Sequence, residues 1–540
     1  MASTTEGRPD TPAAREKGPR EPSGIDPLVL GVSLSLVVVF CVAGAIWPTQ
    51  IGDIGGVALT WLVSHVGWLF VLVSTGFVVF ALVLAFSRYG RIPLSRNGEP
   101  PEFSTVSWVA MMFSAGMGIG LIFFGVQEPV AHFTEVPPGS GVTAGTPGAI
   151  QNSLAYTFFH WGLHPWAIYA VVALALAYST FRMGRGNLLS SPFQSLSRSE
   201  DVSETVGGRF VNIWAIVATK FGGATSLGLG ALQISFGLAV VTGISGLNSL
   251  TTSLIVIVVL VFFAILSAIS GVGNGIKWLS NINMVIAALL VLFVLIVGPT
   301  VFLLDLIPQG IGAYLTNLIP LSFRDPAFGG VEWYSSWTIF YWAWWISWAP
   351  FVATFIARIS RGRTIREFVL GVLVVPTVVS ALWFTVLGGA GMNAQRTGQA
   401  DIAGAQDEAA AFFNLLQSYP MFIVTGIVVM FLVAIFWVSG ADASALVLAT
   451  LSSRGKIEPK NWLVAVWAGL AAAVAAVLLY VGGLDALQTF TVIVSAPFIL
   501  VMIGLCWALY VDLRRDPLRA QSASPVRQTP SPGAYATAGL

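Results

Sequence analysis

Long apolar runs separated by short polar segments extend along almost the whole chain. They lie near 28–47, 61–86, 105–126, 155–180, 211–240, 251–269, 278–303, 334–357, 369–389, 420–451, 461–482 and 487–511. An apolar run of roughly 20 residues is long enough for an α-helix to cross the hydrocarbon core of a bilayer. The pattern therefore predicts an all-α membrane protein with about twelve transmembrane helices.

Composition supports a membrane protein and excludes several other classes. Of 540 residues, 56% are hydrophobic and only 9% are charged, and the net charge of +1 gives no reason to expect a nucleic-acid partner. Cys41 and Cys506 both fall in apolar runs, so we expect buried thiols rather than a disulfide. Residues 1–24 are polar, with no signal peptide, and we expect them to be disordered.

Lysine and arginine are distributed very unevenly between the two sides of the predicted bundle. If the N-terminus is cytoplasmic, nearly all of the 26 Lys and Arg residues lie in cytoplasmic segments, and the outside segments hold only Arg324 and Arg396. This asymmetry follows the positive-inside rule. It predicts a multi-pass protein of the cell (inner) membrane with both termini cytoplasmic.

The third span contains three glycines at alternate positions, Gly116, Gly118 and Gly120. Each glycine weakens a helix by about 1 kcal/mol relative to alanine. Close packing of neighbouring helices through small residues is one explanation. The other is an unwound point whose backbone lines a binding cavity, and the glycines alone leave both open.

Aromatic residues are concentrated in two spans. The eighth span holds Trp342, Trp344, Trp345 and Trp348 toward its middle, where an interfacial aromatic belt does not explain them. The fourth span adds further rings around a predicted bend at Gly162 and Pro165, namely Trp161, Trp166 and Tyr169. Ring faces attract a cation without hydrogen-bonding it, so two such helices facing one cavity suit a trimethylammonium group.

These motifs resemble those of the betaine/choline/carnitine transporter family. The resemblance rests on segments 115–120 (AGMGIG), 160–166 (HWGLHPW), 226–230 (SLGLG), 340–348 (FYWAWWISW) and 358–368 (RISRGRTIREF). It implies two inverted five-helix repeats of the LeuT-like type preceded by two extra helices. It also implies a homotrimer in the lipid bilayer and alternating access for a small zwitterionic or cationic solute.

The same resemblance implies a division of the chain. A cytoplasmic N-terminus (1–24) precedes two accessory helices (25–104) and the first repeat (105–303). An extracytoplasmic connecting segment (304–333), where short interfacial helices are expected, leads to the second repeat (334–512) and a cytoplasmic tail (513–540).

The resemblance also assigns roles to individual residues. Rings of Trp161, Trp166, Tyr169 and Trp345 would surround the ammonium group, and the substrate carboxylate would lie near the backbone of 116–120. The full predicted substrate set is Trp161, Trp166, Tyr169, Trp345, Trp348, Gly116, Met117, Gly118 and Gly120. The predicted permeation pathway comprises Phe340, Trp342, Phe351 and Phe355, although ordinary packing explains the last two equally well.

Gly120 bears on the choice of substrate. Family members that carry choline place an aspartate at this position, so the resemblance favours a zwitterion such as glycine betaine or ectoine. A choline or carnitine carrier or exchanger is the alternative.

The coupling ion is left open between Na⁺, H⁺ and none, and no cofactor is expected. Sodium-coupled members bind an ion near the glycine segment and the tenth span, which implies an ion site formed by Ser114, Met117, Phe436, Ser439 and Asp442. Gly223 and Gly440 stand where we expect hydroxyl ligands.

Lys220 lies within the fifth span, where an ionisable residue costs about 2.5–3.5 kcal/mol. One interpretation is that it snorkels to the cytoplasm. The other is that its ammonium replaces sodium near Ser439 and pairs with Asp442, at a similar depth.

Other activities are less consistent with the sequence. It contains no nucleophile–histidine–acid set and no phosphate-binding loop, so an enzyme is not expected. Four histidines do not predict a metal centre. His160 and His164 are interpreted as part of a structural turn, and Glu128 as a helix cap or outer-vestibule residue.

Overall fold

A computed structural model describes residues 24–96, 99–116, 118–270, 273–324, 329–405 and 407–516, without the side chains of 113–116 and 269–281. In these ranges the regular structure is helical and contains no strand, apart from an isolated bridge between Pro93 and Thr364. The all-α prediction is therefore confirmed for this part of the chain. The predicted disorder of 1–23 and the tail from 517 onward lie outside the described residues.

Sixteen α-helices follow one another along the described ranges. They are α1 (Pro27–Ile46), α2 (Pro48–Phe86), α3 (Thr105–Gly116), α4 (Ile119–Thr134), α5 (Pro147–Trp161), α6 (Leu163–Ala177), α7 (Val206–Thr242), α8 (Leu250–Ser270), α9 (Gly273–Val297), α10 (Thr300–Ser322), α11 (Val331–Tyr334), α12 (Phe340–Ile359), α13 (Ile365–Thr397), α14 (Ala410–Gln417), α15 (Phe422–Ser452) and α16 (Asn461–Arg515). Among these residues, ten helical segments are long and apolar enough to cross a membrane. The chain is a multi-pass membrane protein.

α16 extends over 55 residues and is interrupted near its middle. Gly482 and Gly483 have non-helical backbone angles, and Gly483 has a φ of 60°, in the left-handed region that favours glycine. The interruption coincides with the predicted boundary between the apolar runs 461–482 and 487–511. One continuous apolar segment thus provides enough length for two spans.

The connecting segment predicted at 304–333 is more ordered than a loop. Most of it belongs to α10, a 23-residue helix that contains Pro308 and Pro320 and has many exposed side chains. α14 is a shorter helix of eight residues in the segment that follows α13. Both segments thus contain a helix, but α10 is longer than the short interfacial helices that were expected there.

The centre of the bundle is formed by the aromatic-rich segments. In the most apolar 18-residue stretch of segment 147–182, 94% of the residues are buried. The corresponding fraction is 83% for segment 331–359 and only 22% for α1. A helix that is apolar on all sides and fully covered belongs in the interior. π-helical turns adjoin both central segments, at Tyr178–Arg182 after α6 and at Ser335–Ile339 before α12.

Two ion pairs at the ends of the bundle differ in their exposure to solvent. Arg185 binds Asp512 through two hydrogen bonds of 2.6 and 3.0 Å, and the two side chains are 18% and 5% exposed. Arg361 binds Glu99 at 2.7 Å, but these side chains are 48% and 41% exposed. Because solvent screens an exposed pair, only the first is expected to contribute much to stability.

Candidate functional site

The third predicted span is interrupted within its glycine segment. α3 ends at Gly116 and α4 begins at Ile119, and Gly118 between them has φ −156° and ψ −129°. The helix is therefore interrupted at Gly118, as one of the two explanations for the glycines requires. Met117 lies outside the described residues, and the side chain of Ser114 is not described.

Two other helices pack closely against this interruption. A β-carbon placed on Gly118 would lie 3.8 Å from the ring of Phe436 on α15. A β-carbon on Gly230 of α7 would lie 3.1 Å from both Ile119 and Trp437. The predicted ion-site residue Phe436 is therefore next to the break.

A second interruption separates α5 from α6. Gly162 has φ −103° and ψ −123°, and a β-carbon there would lie 3.1 Å from Thr377. Trp161 ends α5, while Trp166 and Tyr169 lie in the first two turns of α6. The bend expected from Gly162 and Pro165 is thus present, between the tryptophans that it was predicted to separate.

The four rings predicted to surround an ammonium group lie together in the protein interior. Trp161, Trp166, Tyr169 and Trp345 are each at most 4% exposed. Trp345 is 5.0 Å from Trp161 and 6.2 Å from Tyr169, at interplanar angles of 73° and 78°. Trp166 and Tyr169 are 5.7 Å apart at 82°. We call these four residues the aromatic cage.

Further aromatic rings of α12 pack against the outside of the aromatic cage. Trp344 stacks on Trp345 at 4.9 Å, and Tyr341 lies 5.4 Å from Trp161. A β-carbon on Gly120 would lie 2.6 Å from Trp344 and 2.9 Å from Trp161. Any side chain at position 120 would therefore displace these rings.

The polar atoms of the cage have different environments. Trp161 donates its indole N–H to Glu128, and Trp345 donates to the His160 carbonyl at 3.1 Å. Trp166 Nε1 and the Tyr169 hydroxyl are buried and have no hydrogen-bond partner among the described residues. Such groups are costly to bury unless another acceptor reaches them, as a bound ligand or water can.

The residues predicted for the permeation pathway occupy several environments. Phe340 is fully buried and stacks on Trp344 at 5.6 Å. Trp342 is also fully buried, but its ring stacks on His164 at 5.2 Å, outside the cage.

The remaining predicted pathway residues, Phe351 and Phe355, lie further along α12, together with Trp348 of the predicted substrate set. Trp348 and Phe351 are in edge-to-face contact at 5.0 Å, and Trp348 and Phe355 are half-buried. A β-carbon on Gly223 of α7 would lie 2.8 Å from Trp348, so α7 and α12 approach each other closely here.

The predicted pairing of Lys220 with Asp442 is wrong in this structure. Lys220 is 1% exposed, donates to the Trp467 carbonyl on α16 and lies 5.4 Å from the centre of the Trp467 ring. Asp442 instead accepts from Ser267 at 3.1 Å, and Ser439 donates to a carbonyl of its own helix at 2.8 Å. Equal depth along two helices does not fix the direction in which their side chains point. Lys220 does not snorkel either, because its side chain is buried.

Sequence reasoning missed a buried polar network around Glu128, which is neither a helix cap nor a vestibule residue. Glu128 is 0% exposed, and one of its carboxylate oxygens accepts from Trp161 at 2.7 Å and from Tyr341 at 2.6 Å. The other oxygen lies 2.7 Å from His160 Nδ1 and 3.4 Å from His132 Nε2. A glutamate and a histidine four residues apart on an apolar helix were the signal that could have found it.

Comparisons with known proteins agree with these features. Residues 28–518 match the family model described as the betaine/carnitine/choline family transporter. The chain is 43% identical over 505 residues to the glycine betaine transporter OpuD of Bacillus subtilis, covering 92% of this chain and 97% of the relative. It is 39% identical over 504 residues to the betaine/ectoine transporter LcoP of Corynebacterium glutamicum, covering 92% and 79%. It is also 39% identical over 499 residues to glycine betaine transporter 1 of Vibrio parahaemolyticus, covering 90% and 94%. The chain is a transporter rather than an enzyme, and it belongs to the betaine/carnitine/choline transporter family.

Proposed function

We propose that this cell-membrane protein imports glycine betaine or a related zwitterion such as ectoine by alternating access. The observation that carries the proposal is the aromatic cage, four buried rings from α5, α6 and α12 in edge-to-face contact. Desolvated ring faces attract a quaternary ammonium group by about 2 kcal/mol each. The names of the relatives, which include glycine betaine and betaine/ectoine transporters, support the same substrate class.

The break before α4 offers a place for the substrate carboxylate. No described side chain caps the N-terminus of α4 at Gly118. The first N–H groups of a helix and its dipole favour a negative charge there. A zwitterion could thus place its ammonium group among the rings and its carboxylate at this helix end.

Gly120 supports a zwitterion over choline. An aspartate at this position would provide a charge for a substrate that lacks a carboxylate. Here the rings of Trp344 and Trp161 occupy the space that its β-carbon would need. The cage is therefore best suited to a substrate that brings its own negative charge.

We propose further that import is independent of sodium. Trp348 occupies the space where a β-carbon on Gly223 would lie, so a hydroxyl ligand at 223 does not fit without movement of that ring. Lys220 provides a buried amino group near the same helix segment. In this proposal the Lys220 ammonium, held by the Trp467 carbonyl rather than by Asp442, takes the place of a coupling ion.

A sodium-coupled betaine symporter is the second candidate, and one observation favours it. Phe436 on α15 lies next to the backbone break at Gly118. That is where sodium-coupled relatives are expected to bind an ion, with Ser439 and the backbone of the broken helix as possible ligands. In this alternative Lys220 has only a packing role.

The architecture that we propose has twelve spans in two inverted five-helix repeats, 105–303 and 334–512, after two accessory helices. The count starts from the long apolar segments described above. It adds α9 and treats α3 with α4 as one broken span. It also divides α16 into two spans at Gly482 and places α10 along the membrane surface instead of across the membrane. We also propose a homotrimer with both termini cytoplasmic. Cysteine labelling at 304–333 and at the chain ends would test the orientation.

Uptake by the purified protein in proteoliposomes tests the function. We expect saturable uptake of radiolabelled glycine betaine that ectoine inhibits more strongly than choline or carnitine. Replacing external and internal sodium with potassium should leave the rate unchanged. Uptake that requires sodium would refute the coupling proposal, and preferential uptake of choline would refute the substrate assignment.

The variant Lys220→Met tests the role of the lysine. It retains a long apolar side chain but removes the amino group, so we expect uptake to fall while the protein still binds betaine. Lys456→Met, at a lysine in the loop after α15, is the matched control. Unchanged uptake by the Lys220 variant would show that this lysine has no part in coupling.

A further inference from the structure

Glu128, His132 and His160 form a cluster that the proposed transport function does not use. Glu128 and His132 lie one turn apart on α4, and His160 lies at the end of α5. All three side chains are fully buried, and one potential ligand atom from each lies within 4.8 Å of the others. Chain folding brings the two histidines together from positions 28 residues apart in the sequence.

The hydrogen bonds of Glu128 imply a negative charge that needs a cation. One oxygen accepts from both Trp161 and Tyr341, which suits the ionised carboxylate. Within the described residues, the ion pairs of Glu128 involve only His132 and His160. A buried carboxylate without a positive partner is very costly. The countercharge is therefore a proton on an imidazole or a bound cation.

His132 provides an independent sign of a ligand. Both of its ring nitrogens are buried, and within the described residues neither forms a hydrogen bond of good geometry, although Nε2 lies 3.4 Å from the Glu128 carboxylate. Buried polar side-chain atoms in proteins nearly always have a partner, and an exception points to strain, to a functional role, or to a bound water or ion. An imidazole nitrogen with a free lone pair is a good ligand for a transition metal.

The three potential ligand atoms lie within 4.8 Å of one another, so a modest contraction of the cluster would form a three-ligand zinc site. Two histidines and one glutamate with an open fourth position form a known zinc ligand set, and bond lengths of about 2.0–2.1 Å place neighbouring tetrahedral ligands roughly 3.3 Å apart. The separation of His132 and Glu128, 3.4 Å, already fits. His160 and Glu128 are at 2.7 Å and would have to move apart slightly as a metal replaces the proton between them.

The surroundings also provide the outer-shell contacts that metal ligands need. His160 Nε2 lies 2.9 Å from the Thr338 hydroxyl, which would orient the ring with Nδ1 toward the metal. The half-buried rings of Trp333 and Trp337 contact His132 at 5.2 and 4.5 Å, and the buried ring of Tyr156 lies 5.9 Å from it. Movement of the two tryptophan rings would give an ion a short route to the cluster.

We propose that Glu128, His132 and His160 bind one divalent transition-metal ion, with Zn²⁺ as the best-matched species, behind the wall of the aromatic cage. Glu128 would use one oxygen for the metal and keep the other for Trp161 and Tyr341. The ion would replace the proton that otherwise balances the glutamate charge. Counting four histidines in the sequence argued against such a site, but only their positions in the fold show that two of them meet a glutamate.

The test measures metal binding by the purified full-length chain, separately from transport. Protein stripped with a chelator is titrated with Zn²⁺ and, as a spectroscopic probe, with Co²⁺. We expect one ion per chain and a visible Co²⁺ absorption band of the strength typical of tetrahedral nitrogen and oxygen ligands. A Zn²⁺ content well below one per chain, or no Co²⁺ band, would overturn the proposal and leave a proton as the countercharge.

The variant His132→Gln locates the site. Loss of an outer-shell partner alone costs about 10–100-fold in metal affinity, so loss of a ligand should cost at least as much. His65→Gln is the matched control, because His65 is exposed on α2 and outside the cluster. Equal Zn²⁺ affinity in the wild type and the His132 variant would place the ion elsewhere. If that variant does not fold, Glu128→Gln and the wild-type Co²⁺ spectrum decide the question.

Discussion

Replacement of Trp345 provides the most direct test of recognition by ring faces. Its ring is 4% exposed and lies nearly perpendicular to those of Trp161 and Tyr169. Its indole N–H donates to the His160 carbonyl at 3.1 Å. Trp345→Phe keeps a ring face and loses this hydrogen bond, whereas Trp345→Leu loses both.

The two variants distinguish the contribution of the ring face to betaine binding from that of the hydrogen bond, because the two differ in size. A desolvated cation–π contact is worth about 2 kcal/mol, which corresponds to roughly a 30-fold change in dissociation constant. A neutral hydrogen bond contributes about 0.5–1.5 kcal/mol, or roughly 2- to 12-fold. We expect Trp345→Leu to bind glycine betaine roughly 30-fold more weakly or worse, and Trp345→Phe to lose clearly less.

A neutral analogue of the substrate distinguishes attraction of the cation from loss of shape. In 3,3-dimethylbutanoate, carbon replaces the nitrogen of glycine betaine, so the size is retained and the positive charge is removed. In calorimetric titration, the wild type should bind this analogue more weakly than it binds glycine betaine. The affinity of Trp345→Leu for the analogue should be only slightly lower than that of the wild type. Size-exclusion profiles and thermal unfolding would establish that both variants are folded. If Trp345→Leu weakened the two ligands by the same factor, the ring would contribute packing alone and the cation–π argument would be refuted.

Three further predictions concern packing, stability and pH. Gly120→Ala should weaken betaine binding about tenfold through overpacking against the cage, while Gly76→Ala on α2, whose new methyl group would meet open space among the described residues, should bind normally in the same titration. Asp512→Asn, which breaks the buried ion pair, should lower the free energy of unfolding in detergent by about 2 kcal/mol. Glu99→Gln, which breaks the exposed ion pair, should lower it by less than about 0.5 kcal/mol. The Glu408 side chain as a whole is exposed, but partial desolvation of its carboxyl group and then repulsion from Asp485 and Asp407 raise its pKa to about 7. The folded state thus holds this proton more tightly than the unfolded chain, so stability should fall as the pH rises from 5 through 7, and Glu408→Gln should flatten that slope.

Local sequence signals predicted the interruptions of the helices well. Alternating glycines at 116–120 and the Gly162–Pro165 pair each coincide with a helix end. These signals succeed because their effects are local. Glycine has a low helix propensity and proline lacks a backbone N–H donor, and each weakens the helix only within one or two turns of its own position. The tryptophan clusters likewise indicated the interior position of α12, since an interfacial belt cannot account for rings in the middle of a span.

The same reasoning failed where the outcome depended on the direction of a side chain around its helix. Residue spacing gave similar depths for Lys220 and Asp442, but Lys220 faces Trp467 on α16. Glu128 was missed because its partners His160 and Tyr341 come from other helices. Helix rise determines depth from the sequence, whereas helix rotation depends on packing between elements that are distant along the chain.

The hydrogen bonds that fix the cage also connect the helices that alternating access would have to separate. Trp161 on α5 donates to α4, Trp345 on α12 donates to α5, and Trp344 on α12 donates to the Gly222 carbonyl on α7 at 3.3 Å. A ring held at its edge has a fixed orientation before the substrate arrives, which reduces the entropy lost on binding. The bond from Trp344 to α7 is neutral and worth about 1 kcal/mol, so a shift of α7 relative to α12 can break it cheaply. The bonds to the charged Glu128 are stronger and come from Trp161 on α5 and from Tyr341 on α12, and therefore α4, α5 and α12 should move together while α7 moves relative to them.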